Sequence, residues 1–166
     1  MNPFFLHPTD LRNYWRDLRR ALSSMGTDHA QLDAVVRFWN MAPISNRYLD
    51  YHDCYTWPDP WTLVDTNDFD DSSTSLGMFY TLLLSDGNHW DANRIKLAML
   101  RNDRISKECL ACVVDDRWLL GYDISGPVDM HDDLGIRILQ YYAYDTGRRK
   151  IVEVTLDSYR SHVAVA

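Results

Sequence analysis

The hydrophobic period changes near the middle of this 166-residue chain, and that change constrains the fold more than any single motif does. Up to about residue 87, apolar side chains recur every three to four positions; from about residue 95 they fall into short runs separated by turn residues. The first pattern builds amphipathic helices, and the second builds antiparallel hairpins. Helices first and strands afterwards predict an α+β domain. It is expected to be a single domain over residues 1–166, helical over about 1–90 and stranded over about 95–160.

Thr9 can cap a helix carrying Leu11, Tyr14, Trp15, Leu18, Leu22 and Met25, with Gly26 at its end. Asp28, boxed with Gln31, predicts a second helix through Leu32, Val35, Val36 and Trp39 to the Ala42-Pro43 break. The segment from Pro43 to Pro60 has no clean period and reads as a long ordered loop. Asn67 or Asp68 caps a third helix that buries Leu76, Phe79, Tyr80, Leu83 and Leu84 and ends at Gly87. Ile95 to Leu100 fits either helix or strand. Cys109 to Val114 and Arg117 to Tyr122 flank Asp115-Asp116 as one hairpin; Ile136 to Tyr144 and Lys150 to Leu156 flank Asp145 to Arg148 as another.

Composition excludes several function classes. A formal charge of −7 opposes binding to a phosphate backbone, which requires a basic patch, so no nucleic-acid partner is expected. No apolar stretch is long enough to cross a bilayer and no export signal opens the chain, so neither a membrane partner nor signal-peptide secretion is expected. No Gly-rich phosphate loop, H-E-x-x-H or G-x-S-x-G is present, and no cofactor is expected. Cys109 and Cys112 form a lone Cys-x-x-Cys, short of the two pairs a zinc ribbon needs, and on a strand they point to opposite faces. Asp65, Asp68, Asp70 and Asp71 crowd the start of the third helix, and Asp129, His131, Asp132 and Asp133 form a second acidic group. Helix capping and solvation account for both more simply than a metal does.

Two motifs carry a stronger signal. Trp57-Pro58-Asp59-Pro60-Trp61-Thr62-Leu63 is followed by Asn67-Asp68-Phe69-Asp70-Asp71 at the start of a helix. Arg37-Phe38-Trp39-Asn40 and Asp50-Tyr51 precede them, and Trp118-Leu119-Leu120-Gly121-Tyr122-Asp123 follows on a hairpin. From about Val36 to Asp123 this pattern resembles the bacterial transglutaminase-like (papain-like) cysteine proteinases. The resemblance implies a papain-like fold with a nucleophilic Cys opening a helix, a His base on the facing sheet and an Asp that orients it. In this register Phe69 stands for the Cys, Cys109 for the His, and Asp123 is retained. A phenyl ring cannot attack a carbonyl, so the resemblance implies a pseudoenzyme without catalytic residues.

The expected function follows from that loss. Aromatics make up 13% of the chain, with six Trp and ten Tyr, more than one small core usually absorbs, so some are expected at contact surfaces. The chain is read as a structural protein of a larger assembly, present in multiple copies among other protein subunits. A bacteriophage virion is the favoured setting, as a tail, baseplate or neck component, and the cytoplasm the setting otherwise. Its contact residues would be Arg12, Arg16, Arg19 and Arg20 on the first helix, with Tyr51, Tyr55, Trp57 and Trp61 on the long loop. The competing readings are an active cysteine hydrolase or amide-transfer enzyme using Cys54, beside His52 and Asp53, or Cys109, and an acidic inhibitor of a host protein.

Overall fold

Four α-helices come from the N-terminal half and one six-stranded antiparallel sheet from the C-terminal half; residues 1–155 are described in this computed structural model. Helix α1 (Pro8–Ala21) starts with Pro8 in its first turn, where a missing N–H costs nothing. Its cap is His7, whose Nδ1 accepts from Thr9 N at 3.4 Å, in place of Thr9 itself. Helix α2 (Asp28–Trp39) is capped by Thr27, one residue before the expected Asp28. Gln31 closes no box, because it is buried and its Oε1 accepts the indole N–H of Trp90 at 2.7 Å.

A short helix that the sequence pattern does not announce lies between the expected loop and the third predicted helix. Asp59 caps α3 (Pro60–Thr66) by accepting from Trp61 N and Thr62 N, both at 3.0 Å. Asn67 ends it in the left-handed region at φ 47°, so Asn67 is a terminator and not a start. Helix α4 (Asp71–Leu83) is capped by Asp70, the one carboxylate with a serine three residues on. Asp70 Oδ1 accepts from Ser73 N at 2.7 Å and Ser73 Oγ accepts from Asp70 N at 2.8 Å. The second carboxylate oxygen of Asp70 accepts Leu49 N at 2.7 Å and fixes the long loop to this helix.

The sheet has the order β4-β3-β2-β1-β5-β6. Its strands are β1 (Ile95–Asn102), β2 (Lys107–Val114), β3 (Trp118–Leu120), β4 (Val128–Asp129), β5 (Ile136–Asp145) and β6 (Lys150–Val154). The ambiguous segment is therefore the central strand β1, apolar on both faces because both are covered. Ile95, Leu97 and Met99 of β1 face the helices together with Leu110, Cys112 and Val114 of β2. Ala98, Leu100, Ala111 and Val113 face the other way, under Met130 and Leu134 of the connection to β5. Cys109 packs against this second cluster, so Cys109 and Cys112 lie on opposite faces. Leu156, the expected end of the last strand, and His162 lie outside the described residues.

Helix α4 is buried along most of its length, between the other helices and β1 and β2. Its Thr81 hydroxyl accepts the indole N–H of Trp15 from α1 at 2.9 Å and that of Trp39 from α2 at 2.8 Å, while donating to Gly77 O at 2.7 Å. Gly77 is required beside it, since a Cβ there would lie 2.4 Å from the Trp39 ring. Thr81→Val is expected to strand two buried donors and lower stability by about 2–4 kcal/mol. Thr81→Ser, which keeps the hydroxyl, is expected to cost about 1 kcal/mol; urea denaturation measures both. Gly77→Ala is expected to destabilise by about 1–3 kcal/mol through overpacking against the anchored indole, read from the shift in denaturation midpoint.

Candidate functional site: the cleft at the start of α4

A cleft of about 320 Å³ opens where the first turns of α4 meet the beginning of β2. Asp71, Thr74 and Met78 come from α4, Trp39 and Asn40 from the end of α2, and Lys107 and Cys109 from β2. Gly121 to Ile124, directly after β3, form the remaining wall. Gly121 has φ +83°, and a Cβ on it would meet Ser75 Oγ at 2.2 Å, so glycine alone lets this wall approach α4. Asn40 Nδ2 donates to Ile124 O at 2.7 Å and Asn102 Nδ2 donates to the Tyr122 hydroxyl at 2.9 Å, holding the wall from two sides.

Cys109 and Asp123 are brought together in this cleft, and Phe69 is not. Phe69 is fully buried, edge-on to Phe4 at 5.4 Å and to Trp39 at 5.6 Å. Its backbone is bridged to Ile44, and Ser45 N donates to Phe69 O at 2.8 Å. The physical reason is the helix start. Because Asp70 caps α4, the first residue of the helix is Asp71, which lines the cleft, whereas Phe69 precedes the cap and enters the helical core. Asp71, which sequence reasoning assigned only to an acidic group, is therefore the residue that the start of α4 presents to the cleft. The reciprocal Asp70-x-x-Ser73 pattern was the signal that could have found it.

The electrostatics of the cleft oppose a reactive thiolate. Burial pushes the Cys109 thiol above its ordinary pKa; Lys107 pulls it down in part, and the Asp71 carboxylate pushes it up again. Asp123 is held below the usual carboxylate range, because its Oδ1 accepts both Ser125 N and Ser125 Oγ at 2.7 Å. Among the described residues no histidine lines the cleft. His7 caps α1, His29 packs on Trp118, His52 lies 3.9 Å from Glu108 and His89 bonds Asp28 at 2.6 Å.

Cys54 lines a different hollow, with Trp57, Tyr80 and Tyr144. It is buried, its Sγ lies 3.9 Å from Ile151 O, and burial pushes its pKa up to about 11. His52 turns to Glu108 and away from this hollow's lining, so the neighbouring His52, Asp53 and Cys54 form no assembled triad.

The expected contact surface is corrected at two residues. Arg19 is 9% exposed: its guanidinium lies over Trp15 at 4.2 Å and Trp61 at 5.4 Å, and its Nη1 donates to Leu84 O at 3.4 Å. Burial lowers its pKa, and the flat, weakly hydrated guanidinium tolerates that environment through the rings beside it. Trp57 is buried as well, donating to Asp50 O at 2.7 Å and packing on Tyr142 at 4.8 Å. Arg12 pairs bidentately with Asp65, and Arg16 lies 3.4 Å from Asp17. Arg20, Tyr55 and Trp61 are exposed and Tyr51 is half-buried. The acidic groups disperse: Asp65 to Arg12, Asp68 to the Ser45 hydroxyl, Asp70 to its cap, Asp129 to Arg117 at 3.0 Å and Asp133 to Arg104 at 2.6 Å.

No family model matches the chain, and no curated protein matches it in sequence. In three dimensions it is similar to the calcium-bound LapG of Legionella pneumophila, with a TM-score of 0.64 and 11% sequence identity over 96% of this chain and 93% of that one. The fold is therefore α+β and transglutaminase-like, with N-terminal helices packed on an antiparallel sheet.

Proposed function

We propose that this chain is a catalytically silent transglutaminase-like domain that works as an interaction module of a larger assembly. The observation that carries this reading is the first turn of α4. There, where the helix dipole and unsatisfied amides would activate a thiolate, the cleft presents the carboxylate of Asp71. Burial raises the pKa of the nearby Cys109 thiol against the pull of Lys107, and the Asp71 carboxylate adds to the rise, the opposite of what nucleophilic catalysis requires. The working surfaces are the exposed Arg16, Arg20, Tyr55 and Trp61 and the cleft itself. Their partners are other protein subunits, in multiple copies; the virion setting rests on the sequence reasoning alone.

The competing reading, a cysteine hydrolase or amide-transfer enzyme, draws on Cys109 and Asp123 sharing one cleft. Thiol reactivity separates the two. With iodoacetamide at pH 7, Cys54, Cys109 and Cys112 are each expected to react more slowly than free cysteine, because burial raises all three pKa values. Their rates should climb as the pH rises above about 9 instead of reaching a plateau near neutrality. Casein cleavage and amine incorporation should be equal for the native chain, Cys54→Ala and Cys109→Ala. A Cys109 that alkylates faster than free cysteine at pH 7, together with turnover lost in Cys109→Ala, would replace this reading with the enzyme one.

A further inference from the structure

Strand β2 pairs with β1 along its whole length, from Lys107 to Val114, but β3 pairs only with Cys112, Val113 and Val114. The chain then leaves the sheet at Gly121, and among the described residues no strand lies beside Lys107 to Ala111 on that side. No backbone hydrogen bond crosses from this stretch to the Gly121 to Ile124 wall. In an antiparallel strand alternate residues direct N–H and C=O outwards, so this stretch presents open donors and acceptors. Lys107 and Cys109 place it on the cleft.

Open strand edges are normally blunted by proline, by a bulge or by charges. The stretch Lys107-Glu108-Cys109-Leu110-Ala111 has no proline, its pairing with β1 is continuous, and Glu108 is engaged by Arg101 at 3.3 Å. Lys107 remains as the only charge of the stretch on the cleft. The rim is apolar. Ile44, Ile105 and Ile124 come from three separate loops and are 60%, 66% and 78% exposed, three of the larger apolar side chains that this surface leaves in water. Two carboxylates, Asp71 and Asp123, line the same cleft without a cationic partner among the described residues, and Lys107 is the single cation of the lining.

We infer that the cleft binds an extended segment of a partner protein, added as a strand to the outer edge of β2 and held there uncut. Main-chain hydrogen bonds to Lys107 to Ala111 supply register. Apolar β-branched or aromatic side chains cover the three isoleucines, and a Lys or Arg of the segment meets Asp71 and Asp123. The inference rests on the interaction-module reading only in that the segment is retained; strand addition itself needs no assumption about catalysis.

The test is a selection of random twelve-residue displayed peptides against the full chain, followed by backbone amide shift mapping. Enriched peptides should alternate β-branched or aromatic residues and carry a Lys or Arg, and should perturb the amides of Lys107 to Ala111. N-methylation of alternate peptide amides, and Ile124→Glu in the protein, should each weaken binding at least ten-fold; Asp71→Lys should reverse the preference for a basic residue. No enrichment, enriched peptides that map elsewhere, or indifference to N-methylation would overturn the inference. So would a concentration-dependent dimer that perturbs the same amides in the free protein, which would make a second copy the occupant. Mass spectrometry of the bound peptides keeps the two readings apart: cleavage would end the silent-module reading and leave strand addition standing.

Discussion

Three helices of this domain are fastened at one oxygen atom. The Thr81 hydroxyl takes the indole N–H of Trp15 from α1 and of Trp39 from α2, and gives its own proton to Gly77 O one turn back in α4. Each partner is large and apolar except for one donor, so burial contributes strongly only when that donor is satisfied. A hydroxyl with two acceptor lone pairs and one proton is filled completely by this arrangement. The rest of the helical half follows from it. Gly77 clears space for the Trp39 ring, Phe69 and Phe4 pack against that ring, and α4 is held over β1 and β2. A third buried indole, Trp90, is satisfied in the same manner by Gln31.

The cleft depends on that core indirectly. Because Trp39 is fixed, the residues after it emerge at a fixed place, and Asn40, Ala42 and Ile44 line one side of the cleft. The other side is set by Gly121, whose missing side chain lets the end of β3 come against Ser75. Among the described residues no disulfide ties either wall. The cleft holds two carboxylates and one ammonium, and burial, against the pull of Lys107, favours a protonated thiol at Cys109.

Much of this architecture is legible in the sequence where one physical signal dominates. The period change located the helical and stranded halves, and the Asp-containing turns located both hairpins. Errors arose where several residues compete for one role. At Asn67, Asp68 and Asp70 three side chains can cap a helix, and the choice is made by the reciprocal bond to Ser73. That choice moves the helix start past Phe69 and puts Asp71 in the cleft. Arg19 belongs to a stripe of arginines and Trp57 to an aromatic-rich loop, both of which point to the surface, yet each finds a backbone carbonyl inside, Leu84 O and Asp50 O. Such long-range pairings leave no mark on local spacing. Cys109 and Asp123, which only the family resemblance pairs, do line one cleft.

Asp70 has a consequence beyond capping. Its two carboxylate oxygens serve different parts of the chain, one the first turn of α4 and the other the amide of Leu49 in the long loop. The parallel bridge from Ile44 to Phe69, with Ser45 held by Phe69 O, adds a second tie close by. Loop and helix end therefore share their fastenings, so that opening either exposes the unsatisfied groups of both. In the language of native-state fluctuations they form one cooperative opening unit. A loop of ordinary length, left to itself, would fray independently; this one is clamped to the stability of the helix that forms the cleft's wall.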